Sequence, residues 1–202
     1  LTLLVLALMI AVSSSTAISL FADRMHRTMS TQAAEFLAAD LVITSSSIIP
    51  DEWVSKAEEF GLRRARTAEF STVLIENDEL LLAGVKAVSD LYPLRGELKT
   101  TQTDFEQEFV QVSGPKVGEA WLDSRVMATL KLAIGDTLTV GELPLTVSQI
   151  ITYEPDKRGD LYSLSPRVMM SDADLEATKV LQPGSHVHFF YQFSGEAKAL
   201  AD

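Results

Sequence analysis

The 202-residue chain has no cysteine, which excludes disulfides, thiolate metal sites and cysteine nucleophiles. It has no glycine before Gly61 and no proline before Pro50, so neither helix-breaking residue interrupts the opening quarter. No charged side chain precedes Asp23, and bases are scarce: 17 Lys and Arg against 28 Asp and Glu, a net charge of −11. That balance excludes the basic surface needed to grip nucleic-acid phosphates or anionic lipid. Three motifs are also missing: G-x-x-x-x-G-K-[ST], G-x-S-x-G and H-E-x-x-H. Phosphate-loop ATP hydrolysis, an α/β-hydrolase nucleophile elbow and a zincin site go with them.

What is present begins with LTLLVLALMIAVSSSTAISLF, residues 1–21. About 20 residues at 1.5 Å rise cover the ~30 Å hydrocarbon core of a bilayer, so this run predicts a transmembrane helix. Ser15-Thr16-Ala17 forms a small-x-small cleavage site of the kind that ends a secretory signal. The apolar run continues past it through Ile18, Leu20 and Phe21, longer than a signal's apolar core. Ser13, Ser14, Ser15, Thr16 and Ser19 are small, and small residues let membrane helices approach one another closely. The chain opens without Met or a basic flank, which reads as a piece of something longer. Beyond Phe21, Met25, Met29, Ala33, Phe36 and Leu37 recur at helical spacing, predicting a stalk of about four further turns. Arg24 and Arg27 fall at the membrane interface, where the positive-inside rule favours the cytoplasm. The division predicted is a transmembrane helix over 1–22, a stalk helix over 23–40 and a domain over 41–202.

Within that domain, Asp40–Thr44 reads as a strand and PDEWVSKAEEF as a helix started by Pro50 and stopped at Gly61. Arg63–Glu76 and Leu80–Val88 read as a hairpin turning at Asn77-Asp78, the second strand buried. Leu91–Gly118 is punctuated by Pro93, Gly96, Gly114 and Pro115, and its TTQTDFEQEF stretch reads as a polar loop or lid. Glu119–Asp123 returns to order, and Asp123 or Ser124 caps a helix, SRVMATLKL. Two runs around Gly141-Glu142 form a second hairpin. Ser165–Met170 is a strand, Ser171 caps a one-turn helix, His186–Phe193 is an alternating strand, and Gly195 begins another helix. Strands and helices mix without a βαβ repeat, so the predicted class is α+β.

Residues that could carry chemistry are few. His186 and His188 share a strand face but lack a third ligand in nearby sequence. Glu154-Pro155-Asp156-Lys157-Arg158-Gly159-Asp160 has the acidic spacing of a weak calcium loop without an EF-hand's alternating ligands and final Glu. A solvated hairpin tip is the reading adopted. Glu58, Glu59, Glu106 and Glu108 are scattered acids of solvated faces, and Trp53 and Trp121 read as core or interface anchors. No catalytic, cofactor-binding or metal residue is assigned, and no enzymatic signal survives.

Three phrases together carry a resemblance: ALMIAVSSSTAISLFADRM, then VKAVSDLYPLRGELK, then GEAWLDSRVMATLKLAIGDTLTVGELPLTVSQIITYEPDKRGDLYSLSPRVMMSDADLEATKVLQPGSHV. They resemble the amino-terminal part of bacterial ABC-transporter permeases of the FtsX-like class with a MacB-type periplasmic core domain, in the YbbP-like branch. The likeness covers nearly the whole chain in the family's order. It implies a first transmembrane helix before a periplasmic α+β domain, further membrane helices downstream, and location in the bacterial inner membrane. It also implies a separate ATP-binding cassette subunit as partner, a periplasmic esterase-type partner in this branch, export of hydrophobic molecules, and no catalytic residues. A competing reading of different class is a single-pass, membrane-anchored scaffold whose acidic domain recruits a partner. A third is a secreted protein released after Ala17.

Overall fold

The computed structural model describes residues 1–102, 107–157, 165–182 and 184–196. The apolar opening and the stalk form one unbroken helix, α1 (Thr2–Leu37), as a backbone free of Gly and Pro allows. It is long and apolar enough to cross a membrane, and the apolar stretch is entirely exposed. It ends where Ala38 turns left-handed at φ 52° and its N–H caps the carbonyls of Ala34 and Glu35, the usual way of closing a last turn.

Ten strands follow among the described residues: β1 (Leu41–Ser45), β2 (Arg63–Glu76), β3 (Glu79–Val88), β4 (Leu98–Thr101), β5 (Phe109–Gln111), β6 (Glu119–Asp123), β7 (Thr137–Val140), β8 (Leu143–Tyr153), β9 (Arg167–Ser171) and β10 (His188–Ser194). They form one mixed sheet in the order β1-β10-β2-β3-β9-β6-β8-β4-β5, with β7 against the first half of β8. Among the described residues, helices α2 (Asp51–Glu59) and α3 (Ser124–Leu130) and two short 3₁₀ turns after Ser171 accompany the sheet. The mixed sheet with segregated helices is the expected α+β class.

Local chemistry explains most boundaries. The Asp123 carboxylate accepts from Arg125 N at the start of α3, and Ser171 Oγ accepts from Ala173 N at the first 3₁₀ turn. Asn77 and Asp78 both take positive φ, 51° and 61°, the geometry that a two-residue turn needs to match the strand twist.

Because alternate strand residues point to opposite faces, the sheet has two cores. The larger joins Ala68, Phe70, Leu74, Val85, Leu122, Val168, Phe189 and Tyr191 to α3 residues Val126 and Leu130 and to Leu138 and Leu145 of the β7–β8 hairpin. The smaller lies on the other face around Ala65, Val88, Leu98, Trp121 and Met169, and takes in Ala38 and Ala39 at the foot of α1. Only the end of β2–β3 nearer α1 is covered on that second face. Toward the turn, the directly opposed pairs Val73–Leu82 and Ile75–Leu80 stand exposed. The expectation of a fully buried second hairpin strand is thereby corrected.

Two further expectations change, and a third lies outside the described residues. The stretch expected as a loop or lid contains β4 and β5, short strands that add to the β8 edge; residues 103–106 lie outside the described residues. The final strand does not alternate, because β10 sits between β1 and β2 with both faces packed, and Phe189 to Ser194 are all buried. The helix expected from Gly195 onward falls on residues 197–202, also outside them.

Candidate functional site

The second face of β3 carries Lys86 between Gly84 and Val88, in the middle of an otherwise apolar strand. Its side chain is 0% exposed. An isolated ammonium there would be prohibitively costly, so the fold must supply partners. All three Nζ protons are used: to Glu154 Oε1 at 2.7 Å, to Asp156 Oδ1 at 2.6 Å and to the Tyr92 hydroxyl at 2.9 Å. Glu69, one strand over on β2, lies 3.6 Å away. Arg167, at the start of β9, brings its Nε to 3.2 Å from Glu154 Oε2 and its Nη1 to 3.8 Å from Glu69.

The carboxylates come from one place. Glu154 and Asp156 follow directly on the end of β8, with Pro155 between them. Reading this segment as a solvated hairpin tip is therefore wrong for Glu154 and Asp156, which turn inward because the buried cations demand counter-charges. Arg158, Gly159 and Asp160 lie outside the described residues. The signal available in sequence was the lone Lys86 inside LLLAGVKAV.

Electrostatics keep the cluster ionised. Burial pulls the Lys86 ammonium down, but Asp156, Glu154 and Glu69 outweigh it and hold its pKa above the ordinary lysine value. Burial pushes the Glu154 carboxyl up, and Lys86 with Arg167 overcomes that and holds it below the usual glutamate range. Tyr92 is raised well above a free phenol, by burial and then by the Asp156 and Glu154 charges. It therefore stays a proton donor, to Asp156 Oδ1 at 2.5 Å.

The cluster reaches the end of α1. Gln192 on β10 donates from Nε2 both to Asp156 Oδ2 and to the carbonyl of Leu37, each at 3.1 Å. The next carbonyl, of Ala38, accepts from Leu94 N at 3.0 Å and Arg95 N at 2.9 Å, in the same β3–β4 loop that carries Tyr92. Arg95 also grips Asp40 through Nε and Nη2 at 3.0 and 2.8 Å. Gly96 (φ 76°) passes so close that a Cβ there would meet Pro155 Cβ at 2.8 Å and Glu35 O at 3.4 Å. Helix carbonyls left without an intrahelical partner are thus taken by the domain instead of by water.

Other singled-out residues fall elsewhere. His188 opens β10 and is exposed, as is His186, and no cluster of three or more potential metal ligands occurs among the described residues. Glu58 pairs with Arg64 at 2.8 Å on the surface, Glu59 and Glu108 are exposed, and Glu106 lies outside the described residues. Trp121 is buried in the smaller core and Trp53 is exposed on α2. The ion cluster holds charges and hydrogen bonds but presents no nucleophile beside a base.

Comparison with known proteins agrees with this picture. The family model for the MacB-like periplasmic core domain matches residues 1–197. The ABC transporter permease YbbP of Escherichia coli (strain K12) is 36% identical over 195 residues, which is 96% of this chain and 23% of that protein. The chain thus spans about a quarter of its relative's length. The crystal structure of the periplasmic region of MacB from Actinobacillus actinomycetemcomitans shares the fold, with a TM-score of 0.50, 12% identity, and coverage of 83% of this chain and 82% of that one. ABC transporter permeases are the non-catalytic components of their transporters. By sequence and by fold together, the chain belongs to the MacB-like periplasmic core domain family.

Proposed function

We propose that this chain is the first membrane helix and the periplasmic arm of an ABC-transporter permease subunit in a bacterial inner membrane. Residues 1–22 cross the bilayer, 23–40 form the stalk and 41–202 make the periplasmic domain. A separate ATP-binding cassette subunit supplies the energy, and further membrane helices lie in the remainder of the permease. The work done is export of, or action on, hydrophobic or envelope molecules, with a periplasmic esterase-type protein as a candidate partner.

The observation that carries this reading is the continuity of α1, 36 residues from Thr2 to Leu37 without a break, ending in carbonyls held by the sheet domain. A helix without Gly or Pro is the stiffest single-chain connector available, because each backbone bond restrains the next. Movement of the membrane segment therefore displaces the domain instead of bending the link. The test is insertion of two glycines after Ser30 in the full permease, assayed with its ATPase subunit for ATP-driven transport. The insertion should uncouple hydrolysis from transport. Transport at the unmodified rate would refute the lever, and a mature protein without downstream membrane spans would favour the single-anchor scaffold.

A further inference from the structure

Resting on that reading, we infer that Asp156 is the joint that braces the end of α1 against the sheet beside its short covalent run into β1, and that Gln192 is its connecting rod. Beside its backbone run through Asp40 into β1, which pairs with β10, two carbonyls at the foot of α1 are held by groups that lead to this one carboxylate. The Leu37 carbonyl is held by Gln192 Nε2, which also donates to Asp156 Oδ2. The Ala38 carbonyl is held by the amides of Leu94 and Arg95, and that loop is tied by the Tyr92 hydroxyl to Asp156 Oδ1. Lys86 then fastens the same Oδ1 to the middle of the sheet at 2.6 Å. Lys86 sits opposite Glu69 on β2 and Met169 on β9 in the strand register.

Pro155, the preceding residue, is packed against Gly96 and through it against the last turn of α1. The following residue, Lys157, lies 3.6 Å from Asp123, the cap of α3. A pull on the helix end therefore reaches β3 and its neighbours β2 and β9 through this carboxylate and Lys86, in addition to the backbone path through Asp40 into β1 and β10. Hydrogen bonds to a carboxylate paired with a buried lysine and largely shielded from water, its side chain 10% exposed, resist separation more strongly than neutral ones. Gln192 is suited to the role because it acts as a double donor and carries no charge, so it bridges a carbonyl and a carboxylate without adding a buried ion.

A cluster that merely stabilised the domain would leave stalk and sheet moving together in any folded variant, and this separates the two roles. Spin labels at Gln32→Cys on α1 and Leu80→Cys at the hairpin report the stalk-to-sheet distance in the full permease with its ATPase in nanodiscs. In the unmodified protein that distance should stay single and narrow with and without nucleotide, while the stalk moves relative to the bilayer. In Gln192→Met and in Asp156→Asn, nucleotide should produce a second, longer-tailed population, increased roughly tenfold by loss of the charge-assisted link. Transport per ATP hydrolysed should fall in parallel. Should Asp156→Asn fail to fold, Gln192→Met decides alone, since it deletes one donor and no charge. A stalk-to-sheet distance in folded Gln192→Met that tracks the unmodified protein through the nucleotide cycle overturns the joint. A stalk that never moves with nucleotide in the unmodified protein overturns the lever itself, and the joint with it.

Discussion

Lys86 Nζ lies 2.7 Å from Glu154 Oε1 with the two side chains 0% and 1% exposed, an ion pair sealed inside the smaller of the two cores. The same Nζ also holds Asp156, which Gln192 ties to the end of α1. Its energetics differ from those of the exposed pairs, such as Lys179–Glu142 at 2.8 Å, whose partners are 66% and 64% exposed. Water screens the exposed pair and leaves it nearly neutral in stability. The buried pair can be broken only by stranding a charge.

Lys86→Met should therefore destabilise the protein by about 3–5 kcal/mol, because Glu154 and Asp156 are left buried without their shared cation. Adding Glu154→Gln and Asp156→Asn should recover a large part of that loss. Urea denaturation of the original protein, Lys86→Met and the triple variant measures both effects. A Lys86→Met protein as stable as the original would mean the site admits water freely.

The pH profile follows from the directions of the shifts. Glu154 is held below the ordinary glutamate value, so its contribution is present above the unfolded pKa of about 4.3 and is lost as pH falls through the lower, folded value. Lys86 is held above the ordinary lysine value. Its contribution is complete below about pH 10.4 and is lost as pH rises through the higher, folded value. Stability contributed by this pair should be flat between those limits, and the triple variant should lose less on acidification than the original, retaining the share owed to Asp40 and Asp123, which are also held below the ordinary aspartate value. Urea midpoints taken across pH 3–11 check it, as an order-of-magnitude window.

Gly96→Ala should cost about 2–4 kcal/mol, combining a left-handed backbone for a residue with a Cβ and a clash with Pro155. It should also loosen the grip on α1, since the same loop holds the Ala38 carbonyl. Amide exchange at Leu94 and Arg95 would rise well above that in a control of equal global stability. Unchanged exchange would place the loop's order elsewhere.

The bare end of the β2–β3 hairpin gives a prediction of opposite sign. Leu80→Lys and Ile75→Thr should shift stability by no more than about 0.5 kcal/mol, since Ile75 and Leu80 are 63% and 67% exposed and leave no cavity. Self-association at high concentration should decrease, as read by light scattering. A large loss of stability would show that this surface is covered in the intact permease.

How much of this was legible before the fold varies with the distance over which each feature is decided. Asn77-Asp78, Gly61, Asp123 and Ser171 announced their turn and caps because those signals act within a few residues. The β7–β8 hairpin was legible for the same reason. β4 and β5 were not, because Leu98–Thr101 and Phe109–Gln111 are strands only by virtue of the β8 edge beside them. The even burial of β10 was hidden likewise: a strand's neighbours on both sides are set by topology.

The sequence by itself determined the long rigid helix, the acidic mixed α+β domain behind it, and the absence of the commonest catalytic motifs. These rest on composition and short-range periodicity, which act along the chain. The buried ion cluster was decided only by tertiary structure. Lys86, Arg167 and Gln192 come from three strands and Glu154 and Asp156 from the loop after β8, and a charge's cost depends on what surrounds it in space. Glu154 and Asp156 read as solvent-facing acids in the chain, and they became the counter-ions of a buried lysine once the sheet closed around them.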